Sequence, residues 1–156
     1  MSRARTGWAR LSGRVVDRPG SSLFGRAHSW LLRRSRGRLG KRFLGIEVLV
    51  LRTVGRRSGK PRESPMFFLE HDDGFAVVAS NAASSKPPAW WLNLQARPEA
   101  DALVGGGWIP VRGRPATNAE AEALWPRFDR MYSGYEHYRQ IAERELPVVV
   151  LERRPR

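Results

Sequence analysis

A chain of 156 residues with 41% hydrophobic and 10% aromatic content is long enough for one domain with a real core and too apolar for wholesale disorder. Lacking cysteine, it can form neither a disulfide framework nor a thiolate metal site, and its three histidines, His28, His71 and His137, have no ligand spacing, so no metal is indicated. The formal charge of +13 is concentrated at one end: residues 1–45 carry 12 Lys and Arg against the single acid Asp17, whereas residues 46–156 carry 16 against 14 and are nearly neutral.

The first 20 residues are basic and hold no apolar run of signal-peptide length, and nothing later approaches the ~20 apolar residues of a membrane span, so a cytoplasmic protein is expected. Within residues 22–34, Phe24, Ala27, Trp30 and Leu31 recur at helical spacing while arginines occupy the other faces. That predicts a short basic amphipathic helix, either packed on the domain or resting on an anionic bilayer surface. Gly37, Gly40 and Gly45 punctuate a basic linker and set a boundary near residue 45, between a basic N-terminal segment (1–45) and a core domain (46–156).

The β-branched run from Ile46 to Leu51 predicts a strand over 46–54. Directly after it, Gly55-Arg56-Arg57-Ser58-Gly59-Lys60-Pro61-Arg62 sets four cations around a hydroxyl in a glycine-punctuated turn. Such a turn can aim successive backbone amides into one concavity while arginine forks supply paired donors to phosphate or carboxylate oxygens. It reads as an anion cradle, with a solvated basic hairpin turn as the alternative. A P-loop is excluded, because only three residues separate the glycines and Pro61 stands where Ser or Thr should follow the lysine. Mg-nucleotide chemistry loses its main support.

Further strands are expected at 65–71 and 75–80 around the Asp72-Asp73-Gly74 turn, at 100–104 and 108–114 around Gly105–Gly107, and at Leu146–Leu151. A helix should cover 88–96, opened by Pro88 and ended by Arg97-Pro98. Thr117-Asn118-Ala119-Glu120 has the capping-box pattern and should open a helix that Pro126 kinks or splits; Ser133-Gly134-Tyr135-Glu136 repeats the box and should open another. About six strands and three to four helices in mixed order predict an α+β fold with a largely antiparallel, closed sheet.

Three clusters stand beside the cradle. Ser80–Ser85 is small and polar after a strand, suited to lie against a planar ligand or to be a plain loop. Trp90 and Asn93, three apart on one helix face, suit an aromatic wall with a polar handle, or simply the core. Tyr132, Tyr135 and Tyr138 recur every third residue, so they should line one side of a helical turn as a substrate rim or as a packing stripe. The chain has no Ser/His/Asp spacing, no paired acids at a glycine-rich pocket and no nucleophilic Cys. An aromatic pocket with an anion cradle and no acid–base machinery suits a borrowed cofactor, which favours redox chemistry.

At these residues the sequence resembles the deazaflavin-dependent nitroreductase family, small split β-barrel proteins that use coenzyme F420. The resemblance runs over residues 46–152, through Thr53-Val54 and the cradle, Val78-Ala79-Ser80-Asn81, Pro88-Ala89-Trp90-Trp91-Leu92-Asn93-Leu94, Leu124-Trp125-Pro126, Met131-Tyr132 with Tyr135 and Tyr138, and Pro147–Val150. It implies an FMN-binding-type split barrel, mostly antiparallel with peripheral helices, that takes F420 in preference to FMN. The ring would lie near Ser80 and Trp90, with Val78, Ala79, Asn81, Ala89 and Asn93 in the same cofactor-binding set. Arg56, Arg57, Ser58, Gly59, Lys60, Pro61 and Arg62 would hold the phosphate and oligoglutamate tail. Hydride would pass to a quinone, nitroaromatic or enone, with Ser80 and Tyr132 as catalytic candidates and Phe67, Tyr132, Tyr135 and Tyr138 facing the substrate.

Two positions depart from the pattern. Phe67 stands where some relatives carry Tyr, which counts against nitro-prodrug activation, and Asn81 stands where a Lys can occur, removing one tail contact. Relatives also carry a basic N-terminal helix near the substrate opening, which a membrane quinone and an anionic membrane surface would explain; the assembly would be a monomer or homodimer. Two other functions stay open: a nucleic-acid-binding module using the N-terminal arm, and a non-catalytic F420 carrier.

Overall fold

The computed structural model describes residues 42–43 and 45–155, so the amphipathic helix expected at 22–34 lies outside the described residues. Among these residues eight strands follow in chain order: β1 (Arg42–Phe43), β2 (Ile46–Val54), β3 (Pro61–Phe67), β4 (Leu69–His71), β5 (Gly74–Val78), β6 (Glu99–Val104), β7 (Gly107–Pro115) and β8 (Val148–Arg153). Among the described residues the helices are α1 (Ala89–Ala96), α2 (Asn118–Met131) and α3 (Gly134–Ile141), with one 3₁₀ turn at Asn81–Ala83. Every strand pairing is antiparallel.

The central run of β2 is buried on both faces, as its unbroken Val48-Leu49-Val50-Leu51 sequence requires. Its middle residues pair with β3 on one flank (Val50 with Pro65, Leu51 with Ser64) and with β6 on the other (Val50 with Leu103, Leu51 with Ala102). From β6 the ladder continues through β7, β8 and β5 to β4. The ladder thus ends at β4 on one side, while at the other β2 carries both the two-residue β1 and the longer β3; β3 and β4 are separated in the chain by Phe68 alone. A sheet whose ends are so tied must curl on itself, which is the split barrel that the sequence leads one to expect.

Alternation sorts the strand residues onto two faces. Leu49, Leu51, Phe75, Val77, Ala100, Ala102, Val111, Val149 and Leu151 share one cluster with Phe68 and with Trp90, Trp91 and Leu94 of α1. Their sequence neighbours Ala76, Val78 and Val148 point the other way and meet Leu124 and Phe128 of α2 and Tyr135 of α3. Helix α1 thus fills the inner face while α2 and α3 cover part of the outer one.

Three details differ from expectation. The run 65–71 breaks at Phe68, where the chain passes from β3 to β4, and β3 begins already at Pro61 because the ladder extends to the pair Val54–Pro61. Helix α2 is continuous across Pro126. Buried Leu124 and Phe128 anchor the helix on either side, while Pro126 and Glu122, whose carbonyl loses its donor, both face solvent. The Thr117–Glu120 capping box forms in full, but Ser133 makes no side-chain cap. Only Tyr132 and Ser133 separate the two helices, and Ser133 is drawn into a helical conformation (φ −61°, ψ −16°) in which a cap cannot form.

Glu120 also ties the layers together. The Arg114 fork on β7 reaches both its oxygens at 2.8 Å and sends its Nε to Glu152 of β8 at 2.6 Å. Hydrogen bonds from Arg114 first and the Thr117 amide second hold the Glu120 carboxyl well below the usual range. His71, Asp72 and Glu120 bring ligand atoms within 4.8 Å of one another, yet a guanidinium already occupies the Glu120 carboxylate, so the group is an ion-pair cluster. Because the folded-state pKa is depressed, this contribution is complete above the ordinary carboxylate pKa and fades as pH falls through it. Glu120→Gln should cost about 1 kcal/mol at pH 7, and the gap from wild type in denaturant titrations should narrow below about pH 4.

Candidate functional site

The cradle is the loop of the β2–β3 hairpin. Gly59, at φ +66°, donates to the Gly55 carbonyl (2.7 Å), and the Gly55 amide donates to the Lys60 carbonyl (2.8 Å). The Lys60 amide is taken by Ser58 Oγ and the Arg56 amide by Asn93 Oδ1 (3.1 Å). Four of the loop amides are thereby used inside the protein, so anion binding falls to side chains rather than to a nest of amides. Those side chains are Arg56, Arg57, Lys60 and Arg62, all exposed and, among the described residues, none in an ion pair.

Asn93 explains the loop's position. It is 3% exposed on α1, its Nδ2 donates to Thr53 Oγ1 (3.0 Å), and its Oδ1 also accepts from the Arg56 guanidinium (3.4 Å). The polar handle expected at Asn93 is a tether from helix to hairpin. Trp90, 8% exposed, belongs to the inner core beside Trp91, while Pro88 is buried and Ala89 exposed at the head of the helix.

Val78 and Ala79 are buried at the end of β5, and the chain leaves them in an unusual turn. Asn81, Ala82 and Ala83 have φ values of 44°, 50° and 60°, three consecutive left-handed residues closed by Ala83 N–H to Ser80 O (2.9 Å) and Ser84 N–H to Asn81 O (3.0 Å). Asparagine tolerates this region, but each alanine costs about 1–2 kcal/mol there. Arg144 grips the turn from outside: Nε donates to Ser84 O (2.9 Å), Nη2 to Ser80 O (2.7 Å), and Nη1 to Ala79 O (3.2 Å) and Glu145 O (3.0 Å). Burial pushes the Arg144 pKa down, and among the described residues no carboxylate pairs with it.

The tyrosines do gather, though not along one helix. Tyr132 is the extended C-cap residue of α2, and Tyr135 and Tyr138 belong to α3. Their rings lie 5.4–6.3 Å apart, Tyr132 Oη is 3.4 Å from Tyr138 Oη, and Phe67 sits 5.5 Å from Tyr132. Burial raises the pKa of the Tyr135 and Tyr138 phenols, the latter helped by its bond to Tyr132. Both stay protonated through the physiological range and can donate. A Cβ on Gly134 would fall 2.3 Å from the Tyr132 ring, so this glycine admits the ring against the backbone.

These pieces are physically linked. Asn93 ties the cradle to α1, the turn at 81–83 leads into α1, and Arg144 ties that turn to the segment after α3. Reasoning from sequence missed Arg144, because in Glu143-Arg144-Glu145 it looks like a solvated surface charge, and it missed Thr53 as the partner of Asn93.

The curled antiparallel sheet with its peripheral helices is a fold of the split-barrel class. A solved structure titled as an F420-H2 dependent reductase superposes with a TM-score of 0.61 at 29% identity, covering 67% of this chain and 93% of that one. Another, titled as a domain-swapped dimer, has a TM-score of 0.65 at 26% identity, covering 85% and 99%. The F420H(2)-dependent quinone reductase of Mycobacterium tuberculosis is 30% identical over 133 residues, 83% of this chain and 89% of its own length. The model for the F420H(2)-dependent quinone reductase family matches residues 23–153, and the chain belongs to that family.

Asn93→Ala strands the buried Thr53 hydroxyl and frees the Arg56 amide. It should cost about 2–3 kcal/mol in chemical denaturation and speed hydrogen exchange at Arg56. Gly134→Ala should displace the Tyr132 ring and cost about 1–3 kcal/mol, despite alanine's better helix propensity, with a changed near-ultraviolet circular dichroism spectrum as the check.

Proposed function

We propose that this chain reduces a quinone with F420H2, and that the cradle, the 80–84 turn and the tyrosine cluster are its tail, ring and acceptor subsites. The carrying observation is the set of four exposed cations on a hairpin loop that is itself pinned to α1. A polyanionic tail fits that donor set, since guanidinium forks bind phosphate and carboxylate in paired fashion. Arg56, Arg57, Lys60 and Arg62 grip the tail, while Ser58, Gly59 and Pro61 shape the loop and Asn93 serves by holding it.

Val78, Ala79, Ser80, Asn81, Ala89 and Trp90 form and back the ring subsite. When bound, the reduced deazaflavin supplies a hydride to the acceptor. The chain's own part is to orient that acceptor and complete the proton count. In this reading Phe67 and Tyr135 wall the acceptor, while the Tyr132 and Tyr138 hydroxyls, 3.4 Å apart, and Ser80 hold its oxygens and donate a proton.

A quinone drawn from an anionic bilayer surface accounts for the net charge of +11 in residues 1–45, the basic segment that precedes the core domain of 46–156 and whose Arg42–Phe43 pair with β2. Among the described residues no helix is long and apolar enough to cross a membrane. The protein works in the cytoplasm at the inner membrane face, as a homodimer, an assembly in keeping with the relative solved as a domain-swapped dimer. A nucleic-acid module using the N-terminal arm is disfavoured, since the quinone reductase family model matches from residue 23 to residue 153.

Fluorescence titration with F420 tests the reading. Affinity should weaken as salt rises. Arg56→Ala with Arg62→Ala should weaken it by about 10–100-fold while the melting temperature stays within a few degrees. Absence of any signal with wild-type protein at low salt would remove the proposal.

A further inference from the structure

Arg144 lies three residues beyond α3, flanked by Glu143 and Glu145, where a surface arginine would turn to water or to a carboxylate. It does neither. Its three nitrogens are spread over four backbone carbonyls, and two of these, Ser80 O and Ser84 O, are the first and last of the left-handed turn. The Ala79 carbonyl, buried at the end of β5, completes the grip.

We propose that Arg144 is a positioning residue, whose guanidinium holds the Ser80–Ser84 backbone in its left-handed form and so sets the surface that receives the coenzyme's ring. The inference rests on the reading of this turn as the ring subsite. A planar fork suits this, because the carbonyls it binds belong to the two ends of a turn. A lysine at the same place has one nitrogen and can satisfy one end but not span both.

The grip also fixes a spacing. Arg144 follows three residues after the helix that carries Tyr135 and Tyr138, so the turn and the tyrosines are joined through that short segment. Where ring and acceptor stack between these two walls, the guanidinium sets how far apart the walls stand. Ala82 and Ala83, which avoid positive φ when free, would otherwise relax toward ordinary backbone and move Ser80 with them.

The experiment compares wild type, Arg144→Lys and Arg144→Ala. Two ligands are titrated by fluorescence: whole F420, and the deazaflavin chromophore without its phosphate and glutamate tail. Both variants should bind the tail-less chromophore about tenfold more weakly or worse, while the salt dependence of whole-coenzyme binding keeps its slope because the cradle is untouched. Hydrogen exchange without ligand should rise about tenfold at the Ala83 and Ser84 amides, with α1 and β5 as unchanged controls. Guanidinium chloride at tens of millimolar should restore chromophore affinity to Arg144→Ala where sodium chloride does not.

Unchanged exchange and unchanged chromophore affinity in a folded Arg144→Lys protein would overturn the inference while leaving the functional reading in place. If wild type binds neither ligand, the functional reading fails and this inference falls with it.

Discussion

Strand β3, at the β2 side of the sheet, and β4, at its far end, have Phe68 as their sole separation in the chain. That covalent constraint forces the curl, and the curl decides what else the molecule needs. A barrel of short strands rich in Ala and Val leaves its inner face underfilled, and α1 enters with Trp90, Trp91 and Leu94 to fill it. A helix inserted there brings its polar residue with it. Asn93 is buried, so each of its amide groups must find a partner, and the partners within reach are Thr53 and Arg56 at the end of β2. The hairpin loop is positioned by the need to satisfy a core asparagine.

Electrostatics separates this loop from the rest of the sheet. Elsewhere three barrel arginines are matched to acids, Arg52 to Glu63, Arg112 to Glu99, and Arg114 to both Glu120 and Glu152, and Arg153 lies over the Phe75 ring. Arg52 lies in addition over the Trp108 ring at 3.6 Å. The four cations of residues 56–62 sit at the tip of a hairpin with no such matching among the described residues. Like charges gathered without counter-ions raise the free energy of the empty loop, and an anionic ligand relieves that repulsion on binding. The near-neutral balance of residues 46–156 is thus an average over a paired barrel and an unpaired tip.

Much of this architecture is written locally. The run at 46–54, the Asp72-Asp73-Gly74 turn, the helix after Pro88 and the Thr117–Glu120 box each depend on residues within one turn or one ladder of each other, and each forms. What was not legible depends on distant partners. The role of Asn93 is set 37 and 40 residues away in sequence, and that of Arg144 60 to 65 residues away. The second box fails because the shortness of the link at Tyr132–Ser133 overrides the cap preference of serine. Left-handed alanines at 82 and 83 have no local signal at all, since nothing in an alanine favours that conformation.

Strain of that kind persists only where surrounding contacts over-determine it. Here the contacts come from two directions, a turn closed on itself and a guanidinium that binds its two ends. In the proposed reading this matters because ring and tail of one ligand must be met together. Helix α1 starts beyond the strained turn and carries Asn93 four residues after Ala89, a rise of about 6 Å. One short helix, rigid because its tryptophans are packed in the barrel, therefore separates the turn from the cradle and sets the ligand length that both can grip. A substitution in the α1 core would then be felt at both ends, although neither Trp90 nor Trp91 lies at the cradle.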